Sequence, residues 1–183
     1  MNLLGTKRLE TDRLILRKFE LGDEIQVFNN WTSDENTSKY VGWNTHTDVN
    51  QTLEYIKECI KEAENGGFHW VVELKENNEL IGDISVIEIN KKHSNCEIGY
   101  SYGSKYWGKG YATEALRAVI EYLLNECEIY LVEAKHQSLN PASGRVMKKA
   151  GMKKDAILRN RRINKITGQI NDLVVYSIIK EEI

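Results

Sequence analysis

The residues best suited to chemistry lie in one run: Glu97-Ile98-Gly99-Tyr100-Ser101-Tyr102-Gly103-Ser104-Lys105-Tyr106-Trp107-Gly108-Lys109-Gly110-Tyr111-Ala112-Thr113-Glu114-Ala115. A strand-like stretch enters a glycine-bearing turn, and the turn opens a long amphipathic stretch. A helix N-terminus exposes unpaired N–H groups and carries partial positive charge. Gly108 and Gly110 have no Cβ, so a phosphate could approach the backbone there. Three phosphate-binding classes compete. Gly103-x4-Gly108-Lys109 nearly spells a P-loop, but Gly110 stands where Ser or Thr would hold Mg²⁺, which argues against nucleotide hydrolysis. Gly108-x-Gly110-x-x-Thr113 lacks the third glycine of a dinucleotide fingerprint, and no second βαβ half follows. The third class is the pyrophosphate arm of coenzyme A. A glycine turn with no ligand is the bland alternative.

These residues need elements to hold them. Leu14-Ile15-Leu16-Arg17 reads as a first strand, and Asp23 to Asn30 as a short helix. Trp31 to Asp48 is polar and reads as loop with a helical turn. Leu53, Ile56, Ile60 and Ala63 share one helical face, capped by Thr47 or Asp48 and ended by Gly66-Gly67. Phe68 to Leu74 and Leu80 to Ile89 are strand-like, joined by a turn at Glu76-Asn77-Asn78. Asn95 to Tyr102 is a further strand. Ala112, Ala115, Leu116, Val119, Ile120, Leu123 and Leu124 follow helical spacing and give one apolar stripe. Ile129 to Lys135 is a strand. Asn140-Pro141 opens a helix that Gly151 closes. Met152 to Arg159 and Leu173 to Ile179 end the chain as a hairpin. The order is mixed α/β, without a repeating βαβ unit.

Bulk properties exclude other classes. The chain has 183 residues, 41% hydrophobic and 28% charged, with a formal charge of −2. That is ordinary for a globular protein with a sizeable core. There is no basic surplus to neutralise a run of phosphates, so direct nucleic-acid binding is not expected. Cys59, Cys96 and Cys127 form no CxxC or Cys/His cluster, so neither a disulfide framework nor a metal site is expected. The start has no apolar leader and no run reaches membrane-spanning length, so a cytoplasmic protein with no membrane partner is expected.

Tyr106 to Ala115 resembles the acetyl-CoA loop of the GNAT acetyltransferase superfamily, and more narrowly that of the branch acetylating ribosomal-protein N-termini. Leu9-Glu10-Thr11-Asp12-Arg13-Leu14-Ile15-Leu16-Arg17, Leu80-Ile81-Gly82, Glu97-Ile98-Gly99-Tyr100, Asn140-Pro141-Ala142-Ser143, Gly151-Met152 and Asp172-Leu173-Val174-Val175-Tyr176 match the same pattern in order along nearly the whole chain. The resemblance implies one domain over residues 1–183. Its fold would be mixed α/β, with a largely antiparallel central sheet of about seven strands flanked by about four helices. It implies acetyl-CoA as cosubstrate, no metal, and direct attack by a primary amine in a ternary complex. Two departures stand out: Trp107 where Arg or Gln is usual, and Met147 where the family often has a tyrosine acid.

The resemblance also implies roles. Trp107, Gly108, Lys109, Gly110, Tyr111, Ala112 and Thr113 would hold the pyrophosphate. Ile98, Gly99 and Tyr100 would lie beside the thioester at a bulge whose freed N–H binds the developing oxyanion. Asn140 caps its helix and would also touch the pantetheine arm. Ser143 is either a first-turn serine or the hydroxyl that protonates the departing thiolate. Glu97 is either a solvent-facing glutamate or a base acting through water, with His136 as alternative. Trp31, Asp34, Glu35, Trp43 and Asp48 form either an ordinary loop or a site for a cationic amine. Cys96 reads as a small buried thiol. Arg159, Arg161, Arg162 and Lys165 are either a solvated face or a contact for an acidic ribosomal protein or RNA. The favoured acceptor is a protein or peptide N-terminal α-amine. A small amine (polyamine, amino acid or drug) and a silent acyl-CoA-binding role are the alternatives. Monomer and homodimer both remain open.

Overall fold

The computed structural model describes residues 1–183. Eight strands form one sheet: β1 (Leu9–Glu10), β2 (Leu14–Arg17), β3 (His69–Leu74), β4 (Leu80–Asn90), β5 (Asn95–Tyr102), β6 (Leu131–Gln137), β7 (Lys153–Ile163) and β8 (Ile170–Ile179). Their order across the sheet is β1-β2-β3-β4-β5-β6-β8-β7. Every neighbouring pair is antiparallel except β5–β6. Five α-helices accompany it: α1 (Glu24–Val27), α2 (Glu35–Ser38), α3 (Val49–Glu64), α4 (Tyr111–Glu121) and α5 (Pro141–Lys149). The mixed, largely antiparallel sheet is the one expected. The two elements beyond the expected count, β1 and α2, have two and four residues. Segments that short leave no periodic signature in a sequence. The last hairpin is longer than expected, because its far end mixes arginines and asparagines with exposed isoleucines and so lacks an alternating apolar pattern.

Strand alternation sends side chains to two faces. Leu14, Leu16, Trp70, Val72, Ile84, Cys96, Ile98, Val132 and Ala134 pack with Ala115, Leu116, Val119 and Ile120 of α4 and Met147 of α5. Behind the sheet, Val71 and Leu80 pack with Phe19 from the β2–α1 connection and with Val27, Trp31, Ile56 and Cys59, brought by α1, α3 and the segment between them. The Asp48 side chain caps α3 by accepting from the Asn50 N–H at 2.8 Å, as proposed for that position. Gly66, with φ at +81°, follows the end of that helix.

A polar cluster lies beneath α3. His69 Nε2 is 3.0 Å from Asp83 Oδ2, and the Tyr55 hydroxyl donates to the same oxygen at 2.6 Å. Ser101 donates to the other Asp83 oxygen. His69 Nδ1 is 3.4 Å from Glu62, which reaches solvent. Read in the sequence, His69 has no partner spacing; strand register supplies the partners instead. Burial pushes the His69 pKa down, but hydrogen bonds with Asp83, Cys59 and Glu62 outweigh it and hold it well above the ordinary value. Burial likewise pushes Asp83 up, and bonds from His69, Ser101 and Tyr55 hold it below the usual carboxylate range.

Removing one member of a buried ion pair strands the other, at a cost of about 3–5 kcal/mol. His69→Leu should therefore lower urea-unfolding stability by that order, followed by tryptophan fluorescence. Because the folded pKa of His69 is raised, its contribution is fully present below the unfolded value of about 6.5. It should shrink as pH rises from there toward the folded pKa. A gap between wild type and variant that widens from neutral to alkaline pH would contradict a charged His69.

Candidate acetyl-CoA site

Parallel pairing of β5 with β6 runs from Asn95↔Leu131 to Ile98↔Ala134 and stops. Both strands continue, to Tyr102 and Gln137. The stretches Gly99–Tyr102 and Lys135–Gln137 therefore diverge as the two lips of a notch in mid-sheet. Their facing backbone groups have no ladder partner. Leaving such a group dry costs about 1–3 kcal/mol, so the notch calls for water or a polar chain to bond.

Two helices begin at the same ends of these strands. No side chain caps α4, so the N–H groups of its first turn are free of side-chain acceptors. Gly108 and Gly110 have φ of +76° and +86°, a region where a side chain is strained. A Cβ at Gly108 would meet nothing within 4 Å, which leaves the approach open. The turn is fixed from outside. Glu114, in the first turn of α4, accepts from the Thr11 hydroxyl at 2.6 Å, the Arg13 N–H at 2.9 Å and Arg13 Nε at 2.7 Å. Arg13 also donates to the Lys109 carbonyl at 3.1 Å and stacks on the Tyr111 ring at 4.6 Å. Trp107 Nε1 donates to the Tyr102 carbonyl at 2.7 Å, pinning the turn to the end of β5. In the sequence Thr11, Arg13 and Glu114 are only parts of a pattern; in the fold they brace the cradle.

Across the notch, Asn140 caps α5 by accepting from the Ser143 N–H at 3.4 Å, and Pro141 takes the first turn. The Tyr100 hydroxyl is 2.9 Å from Ser143 Oγ and donates to the Ser143 carbonyl at 3.1 Å. Burial pushes the Tyr100 phenol above its ordinary pKa, so it stays a neutral hydroxyl. The structure thus joins Tyr100 and Ser143, whose implied roles are separate. Met147 is buried in the core. His136 is buried with Nδ1 2.8 Å from the Gln137 carbonyl, and its ring lies where a Cβ on Gly144 would sit. It is a packing residue.

One expectation is corrected. The bulge is in β4, not in Ile98–Tyr100. Val86 pairs Ile98 and Glu88 pairs Glu97, leaving Ile87 as the extra residue. Ile87 then covers Gly99, where a Cβ would be 2.8 Å from Ile87 Cδ1. The free groups along Gly99–Tyr102 come from the end of β6 pairing.

On the side of the sheet that carries α3, Lys135 Nζ is 2.7 Å from both Glu97 and Glu133. Burial pushes Lys135 down, and bonds with the two glutamates more than restore it, raising its pKa. Glu97 therefore sits at the base of the notch as half of an ion pair. The residues considered for a cationic amine divide. Trp31 is wholly buried. Asp34 caps α2 and accepts from the Ser104 N–H at 2.9 Å, and Asp48 caps α3. Glu35 and Trp43 remain available. Burial pushes the Cys96 thiol up to about 12, which makes it unreactive. No helix is long and apolar enough to cross a membrane.

A sheet opened between its two parallel strands, with an uncapped glycine-opened helix at its mouth, is the arrangement of an acyltransferase that takes its acyl group from coenzyme A. Comparison with known proteins agrees. The family model for the Acetyltransferase (GNAT) domain matches residues 13–153. An uncharacterized N-acetyltransferase, p20, of Bacillus licheniformis is 32% identical over 177 residues, covering 95% of this chain and 97% of that protein. The [ribosomal protein uS5]-alanine N-acetyltransferase of Escherichia coli is 26% identical, covering 93% and 90%. A GNAT-family acetyltransferase from Bacillus anthracis superposes with a TM-score of 0.84 at 30% identity, covering 96% of this chain and all of that one. The chain belongs to the GNAT family of acetyltransferases. It is an N-acetyltransferase with acetyl-CoA as cosubstrate.

Gly110→Asp should lower acetyl-CoA affinity on the order of 100-fold by calorimetry, since the new carboxylate both claims the helix N–H groups and repels phosphate. Circular dichroism should show a folded variant. Unchanged affinity would remove this turn from the site.

Proposed function

We propose that this enzyme acetylates the α-amine of a polypeptide N-terminus, with the whole chain, residues 1–183, acting as one domain. In this reading the backbone from Trp107 to Thr113 holds the pyrophosphate, with Lys109 beside it. The pantetheine arm runs along the notch past Ile98, Gly99 and Tyr100 to Asn140. Free N–H groups on that lip stabilise negative charge on the thioester oxygen. Ser143, hydrogen-bonded to Tyr100, gives a proton to the departing sulfur and takes the part vacated at Met147.

The Lys135–Glu97 ion pair carries the choice of acceptor. Glu97 already accepts from Lys135, so its carboxylate is occupied and the site favours an amine that arrives already deprotonated in part. An α-amine has a pKa near 8, against about 10.4 for lysine. At neutral pH about a tenth of an α-amine is neutral, some two orders of magnitude more than for lysine. The relative named for acting on a ribosomal-protein alanine supports the same reading.

The test is a competition among short peptides with free or blocked N-termini and spermidine, with mass spectrometry locating the acetyl group. Acetylation at free N-termini is expected; modification of spermidine or lysine side chains alone would refute the preference. Ser143→Ala should lower kcat by about 10²-fold with acetyl-CoA affinity unchanged. Full kcat in that variant would make the hydroxyl structural. Glu97→Gln should leave the acid limb of the pH–rate profile in place, since Glu97 is engaged by Lys135; a moved limb would make Glu97 the base and remove the argument for an α-amine.

A further inference from the structure

The hairpin of β7 and β8 carries features that neither folding nor acetyl-CoA uses. Between Lys153 and Gln169 it has six Lys or Arg and a single carboxylate, Asp155, in a chain with net charge −2. Arg159, Arg161 and Arg162 are exposed, and the only ion pair in the hairpin is Lys153 with Glu182. Among these cations lie four exposed isoleucines, Ile157, Ile163, Ile166 and Ile170, at 52 to 67% exposure. An apolar patch set among cations without counterions marks a contact surface.

Its position is built. From Leu158↔Leu173 to Arg162↔Asn171, β7 takes four residue steps where β8 takes two. The surplus forms a bulge holding Arg159 and Arg161, turned by Asn160 at φ +54° and anchored by the Asn160 N–H on Asp172 Oδ1 at 3.0 Å. Bulges re-aim side chains beside active sites. This one adjoins the notch. The Asp172 carbonyl accepts from the Ser138 N–H at 2.8 Å, and Asn171 donates at 3.3 Å to the side chain of Gln137, the last residue of the β6 lip. Lys165 reaches the Trp43 carbonyl, and Gln137 reaches that of Tyr40, so the hairpin and the α2–α3 segment share one rim.

We infer that the Arg159–Arg162 bulge and its isoleucines dock an acidic stretch of the acceptor polypeptide just downstream of its N-terminus. The inference rests on the α-amine reading above. From the base of the notch to the bulge is two strand spacings across and a few residues along, on the order of 15 Å, which an extended chain spans in about five residues. Carboxylates from about the fourth residue onward would meet the arginines. Complementary charge of this kind sets encounter and specificity and fades with salt.

Two measurements test it. The first is kcat/KM for peptides sharing their first three residues and carrying acidic, neutral or basic residues after them, at low and high salt. Wild type should favour the acidic peptide about tenfold at low salt, less at high salt, and the double variant Arg161→Glu/Arg162→Glu should lose or reverse that order with acetyl-CoA affinity unchanged. Equal rates for acidic and neutral peptides, or an order unchanged by the charge reversal, would overturn the proposal. The second is fluorescence anisotropy of an N-blocked acidic peptide on the acetyl-CoA-loaded protein, which needs no chemistry. Binding lost on charge reversal supports the docking surface even if spermidine is the only amine acetylated, an outcome that would sink the α-amine reading alone. Tighter binding of a single-stranded RNA of equal length, or a change in mass by light scattering as the main effect of the reversal, would replace the acidic polypeptide with RNA or with a second copy of the chain.

Discussion

Pairing between β5 and β6 ends at Ile98 and Ala134, and the backbone beyond sits in the middle of an eight-stranded sheet with no neighbour to bond. That constraint organises what surrounds it. Two parallel strands require a crossover, and α4 is that crossover, so its N-terminus must open at the mouth of the notch. The connection from β6 places the start of α5 at the other lip. Tyr100 then meets Ser143 across the opening. Glu114, Thr11 and Arg13 add the bracing from the far edge of the sheet, which keeps the glycine turn in a left-handed shape that nothing within the turn enforces.

The readable part of the sequence was the part governed by local rules. Helical spacing from Ala112 to Leu124 set α4, and Asn140-Pro141 set the start of α5, because caps and periodicity act over a few residues. The cradle itself could be read because glycine in a turn before a helix has a physical reason to be there. Contacts set by strand register could not be read. His69 and Asp83 are 14 residues apart and meet only because β3 and β4 pair in one frame. The same holds for Lys135 with Glu97 across β5 and β6, while Arg13 meets Glu114 only because α4 packs against the β1–β2 edge. The resemblance implies a bulge at Ile98–Tyr100, but no local rule says which strand of a pair carries the extra residue; here it is Ile87 of β4, and the missing side chain of Gly99 makes room for it.

The carboxylates near the notch are each tied to a cation. Glu97 and Glu133 share Lys135, and Asp83 is matched by His69. Free carboxylates there would attract any cation and hold it protonated. In the proposed reading, carboxylates held this way leave selectivity to the rim, where the hairpin arginines are exposed, and leave reactivity to the proton equilibrium of the incoming amine.

An unfinished strand pair makes the native fold partly dependent on what fills it. A molecule that bonds the two lips binds the folded chain and not the unfolded one, so it shifts the folding equilibrium by mass action, by about 2.7 kcal/mol at a hundredfold excess over its dissociation constant. Proteolysis in a cell draws on the opened population. The lifetime of this protein should therefore lengthen when acetyl-CoA is plentiful and shorten when carbon runs low, so that enzyme abundance follows metabolic supply without any dedicated regulator.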